Sequence, residues 1–208
     1  MKIIKKDFHF HTYTITATIF QKEEPTNKAA FIFPGRGYTA QAPLLFYSRN
    51  LCINKNYDCI QINYHDALSV MNEEEFVRSV QEIVKSILDE RNYNDLLIIS
   101  KSIGSIAHAQ ILKANLSHSL RSIWLTPLIK MENVFTSLKE SSSPSIALIG
   151  DEDPHYSVDK WTELGKHNKT LVQKVYFGCD HSIEKPKFPI ESIDILKQVI
   201  LDIDSFIR

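Results

Sequence analysis

The chain has 208 residues, 43% of them hydrophobic and 24% charged, with a formal net charge of −1. That length suits one domain over residues 1–208 with a sizeable core, and the even charge balance argues against a polyanion, so no nucleic-acid partner is expected. There is no run of about 18 apolar residues and no signal-like N-terminus, so no membrane partner and a cytoplasmic location are expected.

The stretch Ile3 to Phe20 alternates and is rich in Thr, Ile, Phe and Tyr, which predicts one or two antiparallel strands. Ala29 to Phe33 is a short apolar run ended by Pro34-Gly35-Arg36-Gly37, a buried strand entering a tight loop. Gln41 to Asn54 carries helical spacing, and Tyr57 to Ile62 reads as a second buried strand. Asn72 is a candidate N-cap before Glu73, Glu74 and Glu75, whose charges favour the first turn of a helix. Phe76, Val80, Ile83, Val84, Ile87 and Leu88 then mark its apolar face. Leu96 to Ile99 is another buried strand, followed by Ser100-Lys101-Ser102-Ile103-Gly104 and an Ala-rich helix. Strands are predicted at Ser122 to Leu125, Ser145 to Ile149 and Leu171 to Phe177, with helices over Met131 to Lys139 and Ile190 to Phe206. Strands alternating with helices imply an α/β fold, a mostly parallel doubly wound sheet. The helix-free N-terminal strands form its antiparallel edge.

Cys52, Cys59 and Cys179 are scattered and show no Cys-x-x-Cys spacing, so reduced thiols are expected rather than a zinc site or a disulfide framework. His9 and His11 could share one strand face but have no third ligand near them in sequence. No metal and no cofactor is expected.

Doubly wound sheets place ligands outside the carboxyl ends of their strands, and four such ends carry chemistry. Ser100-Lys101-Ser102-Ile103-Gly104, between a strand and a helix, matches the nucleophile elbow Gly-x-Ser-x-Gly with Ser100 in the first glycine position. Ser102 is then the nucleophile at a helix N-terminus; read structurally, it is only an N-cap. The Pro34-Gly35-Arg36-Gly37-Tyr38 loop can supply one of two backbone amides to a developing oxyanion, from Arg36, while Ile103 supplies the other. It lacks the Lys-Ser/Thr of a phosphate loop. In Gly150-Asp151-Glu152-Asp153-Pro154-His155 two aspartates compete to orient a histidine; the Gly-x-x-Asp-Pro form selects Asp153 and leaves Asp151 to brace the loop. In Gly178-Cys179-Asp180-His181-Ser182, His181 is the candidate general base, and Cys179 has no elbow to make it a nucleophile. The chain order Ser, Asp, His is that of the elbow-bearing hydrolases.

On these residues the chain resembles the α/β-hydrolase superfamily, and within it small bacterial esterase-like members without a large cap, from Ala29 to the final helix. The departures are Pro34-Gly35 where many members have His-Gly, and Ser100 for glycine. The resemblance implies a serine hydrolase that cleaves a carboxylic ester through Ser102, His181 and Asp153. Thioester hydrolysis, acyl transfer, or a non-catalytic binding role on the same fold are the alternatives. About twenty residues between the strand ending at Leu125 and the next leave no room for a large lid. An open site for a small or exposed ester or thioester is therefore expected, lined by Tyr38, Thr126, Pro127 and Leu128.

Overall fold

A computed structural model describes residues 1–114 and 119–207. Its sheet is built from β1 (Lys2–His9), β2 (Thr14–Gln21), β3 (Lys28–Phe33), β4 (Asp58–Asn63), β5 (Asp95–Lys101), β6 (Ser119–Leu125), β7 (Ser145–Gly150) and β8 (Leu171–Tyr176). The strand order is β1-β2-β4-β3-β5-β6-β7-β8. The β1–β2 and β2–β4 pairs are antiparallel and all other pairs are parallel. The N-terminal hairpin is thus the antiparallel edge that its alternation predicts.

The helices are α1 (Pro43–Asn54), α2 (Glu73–Glu90), α3 (Gly104–Lys113), α4 (Glu132–Glu140), α5 (Val158–His167) and α6 (Pro189–Ile207). The period of two along the central strands divides the core. Phe31, Phe33, Leu96 and Ile98 face α2 to α5, whereas Ala30, Ile32, Leu97 and Ile99 face α1 and α6. The acidic start of α2 is closed by a full capping box: Glu75 N donates to Asn72 Oδ1 and Asn72 N donates to Glu75 Oε2, each at 2.9 Å.

One helix was not expected from the sequence. In α5 only Trp161 and Leu164 are buried, so its apolar stripe is too thin to stand out. Its signal is the cap, Ser157 Oγ accepting from Lys160 N.

The chain runs from β3 outward to β4, then returns to β5 and proceeds through β6, β7 and β8 on the other side. The order therefore reverses between β3 and β5, the switch point at whose carboxyl end doubly wound sheets bind their ligands. Among the described residues, no large cap domain covers that end of the sheet. Among the described residues, no helix is long and apolar enough to cross a membrane.

Candidate active site

Ser102 follows β5 directly and adopts φ +53°, a left-handed backbone that a non-glycine residue enters only under constraint. The constraint comes from both sides of the turn. Ser102 N donates to Leu125 O at 3.1 Å, and Ser105 N and Oγ donate to Ser102 O at 2.9 and 2.6 Å. Helix α3 then starts so close to β3 that a Cβ on Gly104 would lie 2.4 Å from Phe33 O, so only glycine fits there.

Ser100 is fully buried, and its hydroxyl has a partner behind the elbow. Its Oγ lies 2.8 Å from His108 Nδ1, and His108 Nε2 lies 3.0 Å from Ser122 Oγ. The imidazole stacks on Trp124 at a centroid distance of 3.7 Å. Burial holds His108 well below the usual histidine range, so it stays neutral, with one donor and one acceptor for two hydroxyls. A serine in the glycine position is thus accommodated by a polar network that spans α3 and β6.

His181 stands over Ser102 from the loop after β8. Its Nε2 is 2.8 Å from Ser102 Oγ and its Nδ1 is 2.7 Å from Asp153 Oδ2. The Asp153 side chain is wholly buried. A carboxylate can only accept, so Nδ1 carries the proton and Nε2 is free to accept from Ser102. The other Asp153 oxygen accepts from His155 N at 2.8 Å, which fixes the carboxylate plane. Asp151 does not touch the histidine; its Oδ1 accepts from Gly178 N at 2.6 Å and braces the loop. The His181 loop crosses the end of β7 so tightly that a Cβ on Gly150 would lie 2.0 Å from Cys179 O. Cys179 is buried and its thiol is pushed up to about 11, chiefly by that burial. His155 lies beside His181, with ring centroids 5.3 Å apart, but hydrogen-bonds to Asp153 through its backbone.

The Pro34–Tyr38 loop closes the other side. A Cβ on Gly35 would meet Ser102 Cβ at 3.4 Å, so this loop runs against the elbow. Gly35 N donates to Tyr38 O at 2.9 Å, and the buried Tyr64 hydroxyl donates to Pro34 O. Among the described residues, neither the Arg36 nor the Ile103 amide donates to a protein acceptor. Both residues line a cavity of about 110 Å³ with the apolar Leu68, Met71, Phe76 and Ile106 and the polar Asn72 and Glu73. On the opposite side, Tyr38, Leu44, Ile183, Lys185 and Leu196 line a cleft of about 370 Å³ that reaches Ser182, next to His181.

Of the remaining residues expected to line the site, Thr126, Pro127 and Leu128 are buried. The Thr126 hydroxyl accepts from Lys101 at 2.5 Å, and Leu128 N donates to Ser105 Oγ at 3.2 Å. Thr126 and Leu128 are thus bonded to Lys101 and Ser105, which stand on either side of Ser102 in the chain. Lys101 itself is only 1% exposed, and the sequence gives no sign of that. Burial brings its ammonium down to about 8, against the pull of Asp153 and Asp180 toward the charged form. Among the described residues, no group of three or more His, Cys, Asp or Glu side chains could hold a metal ion.

No protein-family model matches the chain, and no curated protein does. Solved structures do. A protein of unknown function from Agrobacterium tumefaciens, assigned provisionally to the α/β-hydrolases, superposes with a TM-score of 0.77 at 13% identity, covering 98% of this chain and 94% of that one. An α/β serine hydrolase homologue from Coxiella burnetii gives 0.72 at 14% identity, with coverages of 97% and 98%. The esterase Pf2001 of Pyrococcus furiosus gives 0.69 at 11% identity, with coverages of 97% and 92%. Hydrolases and esterases thus share this architecture over nearly its full length, and the chain has the α/β-hydrolase fold.

Proposed function

We propose that the protein is a serine hydrolase that cleaves a carboxylic ester of a small or exposed substrate through an acyl-enzyme. The observation that carries this reading is the single hydrogen-bonded series from Ser102 Oγ to His181 Nε2 at 2.8 Å and from His181 Nδ1 to Asp153 Oδ2 at 2.7 Å. Ser102 Oγ attacks the ester carbonyl while His181 Nε2 takes its proton, and Asp153 stabilises the imidazolium that forms. The unpartnered amides of Arg36 and Ile103 receive the oxyanion. The tetrahedral intermediate collapses, the bond to the alcohol oxygen breaks, and His181 returns the proton to that oxygen. Water, deprotonated by His181, then attacks the acyl-enzyme, and carboxylate and free Ser102 result. The cavity of about 110 Å³ beside Arg36 and Ile103 suits a short acyl group, and the cleft of about 370 Å³ beside Tyr38 and Ser182 suits the alcohol portion.

The test is labelling by a fluorophosphonate, read by intact mass, together with turnover of p-nitrophenyl esters and acyl-CoA thioesters. The parent takes one label. Ser102→Ala takes none and loses about a million-fold in turnover while keeping its melting temperature. A folded parent that takes no label refutes the proposal. Faster turnover of thioesters than of esters would keep the nucleophile and reassign the substrate.

A further inference from the structure

Lys101 occupies the variable position of the elbow, immediately before Ser102, yet its side chain is buried among three loops. Its Nζ donates to His181 O at 2.7 Å and to Thr126 Oγ1 at 2.5 Å, and it lies 5.0 Å from the centre of the Tyr38 ring. A Cβ on Gly35 would meet its Cγ at 3.5 Å, so the stem passes beneath the loop that carries Arg36. The three partners come from the loops after β8, β6 and β3. Two residues at this junction, Ser102 and Thr126, have positive φ, +53° and +42°. For a β-branched residue such as Thr126 that conformation persists only when surrounding contacts hold it. A buried ammonium needs every donor directed at an acceptor or a π face, and these three partners meet that need.

We infer that Lys101 is a positioning residue: its ammonium pins the backbone of His181 and the turn at Thr126 to the elbow, and so sets the distance between the imidazole and Ser102. The inference rests on the serine-hydrolase reading, because it concerns how that base is presented. A purely space-filling lysine would leave its head in solvent; this one ends on the carbonyl of the residue whose ring meets the nucleophile. The charged and titratable groups around it are Asp153 from the loop after β7, and Asp180 and His181 from the loop after β8; its charge also reaches His155.

The experiment compares the parent, Lys101→Met and Lys101→Arg by fluorophosphonate labelling rate, kcat and KM for p-nitrophenyl acetate, and pH–rate profile, with melting temperature as the check on folding. A displacement of about 1 Å at a reacting group costs roughly a hundredfold. Lys101→Met is therefore expected to label about a hundredfold more slowly, through kcat, with KM within about threefold of the parent. Loss of a cation beside the Asp153–His181 pair moves the midpoint of its pH–rate profile up by at least about half a unit. Lys101→Arg keeps the charge but not the fit, so it keeps the parental midpoint and labels at least about tenfold more slowly. Should Lys101→Met fail to fold, Lys101→Arg decides by the same two readings. A folded variant that labels at the parental rate overturns the inference. A parent that does not label at all overturns instead the hydrolase reading beneath it.

Discussion

Asp153→Asn tests the site through one change of atom. The two carboxylate oxygens have different neighbours: Oδ1 accepts from His155 N at 2.8 Å and Oδ2 meets His181 Nδ1 at 2.7 Å. An asparagine here must keep its oxygen toward the His155 amide, because its NH₂ would set donor against donor. The NH₂ then faces His181, which can meet it only with an unprotonated Nδ1. The remaining proton moves to Nε2, the atom that should accept from Ser102. The fold is untouched and the base is in the wrong tautomer. Triads altered in this way lose about ten-thousand-fold in kcat, about 5.4 kcal/mol of barrier. Asp151→Asn is the control: its Oδ1 accepts from Gly178 N at 2.6 Å, and an amide oxygen does the same. It should lose less than about tenfold by the same hydrogen-bond accounting. The assay is kcat/KM on p-nitrophenyl acetate with purified variants of equal melting temperature. Equal or reversed losses would refute the assignment of Asp153 and the argument from its second oxygen.

His108 is neutral in the fold because burial lowers its pKa well below the usual value, whereas the unfolded chain binds a proton there as pH falls through about 6.5. Its contribution is therefore fully present above that pH and is lost below it, by up to about 1.4 kcal/mol per unit. Urea unfolding at pH 7.5, 6 and 5 should show a steeper decline for the parent than for His108→Gln, and parallel declines would sink the account. Met71 lines the cavity beside Arg36 and Ile103, so Met71→Ala should raise the rate on p-nitrophenyl hexanoate relative to acetate by roughly tenfold, the worth of about two newly buried methylenes. An unchanged ratio would place the acyl chain elsewhere.

The legible parts of this molecule are those whose cause is local. The capping box of α2 needs only Asn72 and Glu75 and is visible as a short motif. The elbow needs a small residue at Gly104, and the Gly-x-x-Asp-Pro turn distinguishes Asp153 from Asp151 within three positions. What stays hidden depends on partners far along the chain. Lys101 carries no mark of its burial in the sequence because His181 O lies 80 residues away. Thr126 and Leu128 read as site lining because they follow a strand, yet their polar groups are taken by Lys101 and Ser105. Ser100 reads as a departure from the elbow pattern until His108, eight residues on, and Ser122, on the next strand, are seen to hold it.

These hidden residues share one feature: each is tied by a hydrogen bond to the elbow or to the residues around it. A strained backbone at Ser102 and Thr126 cannot be maintained by local sequence, which would relax it. It must be maintained by buried hydrogen bonds, and a buried polar group left without a partner costs about 1–3 kcal/mol. The polar side chains around the elbow are therefore interdependent. Ser100 requires His108, His108 requires Ser122, and Thr126 is held by Lys101, which also bonds to the carbonyl of His181. The visible motif marks the residues we propose as reacting groups, and the buried hydrogen bonds around it hold the turn that carries them.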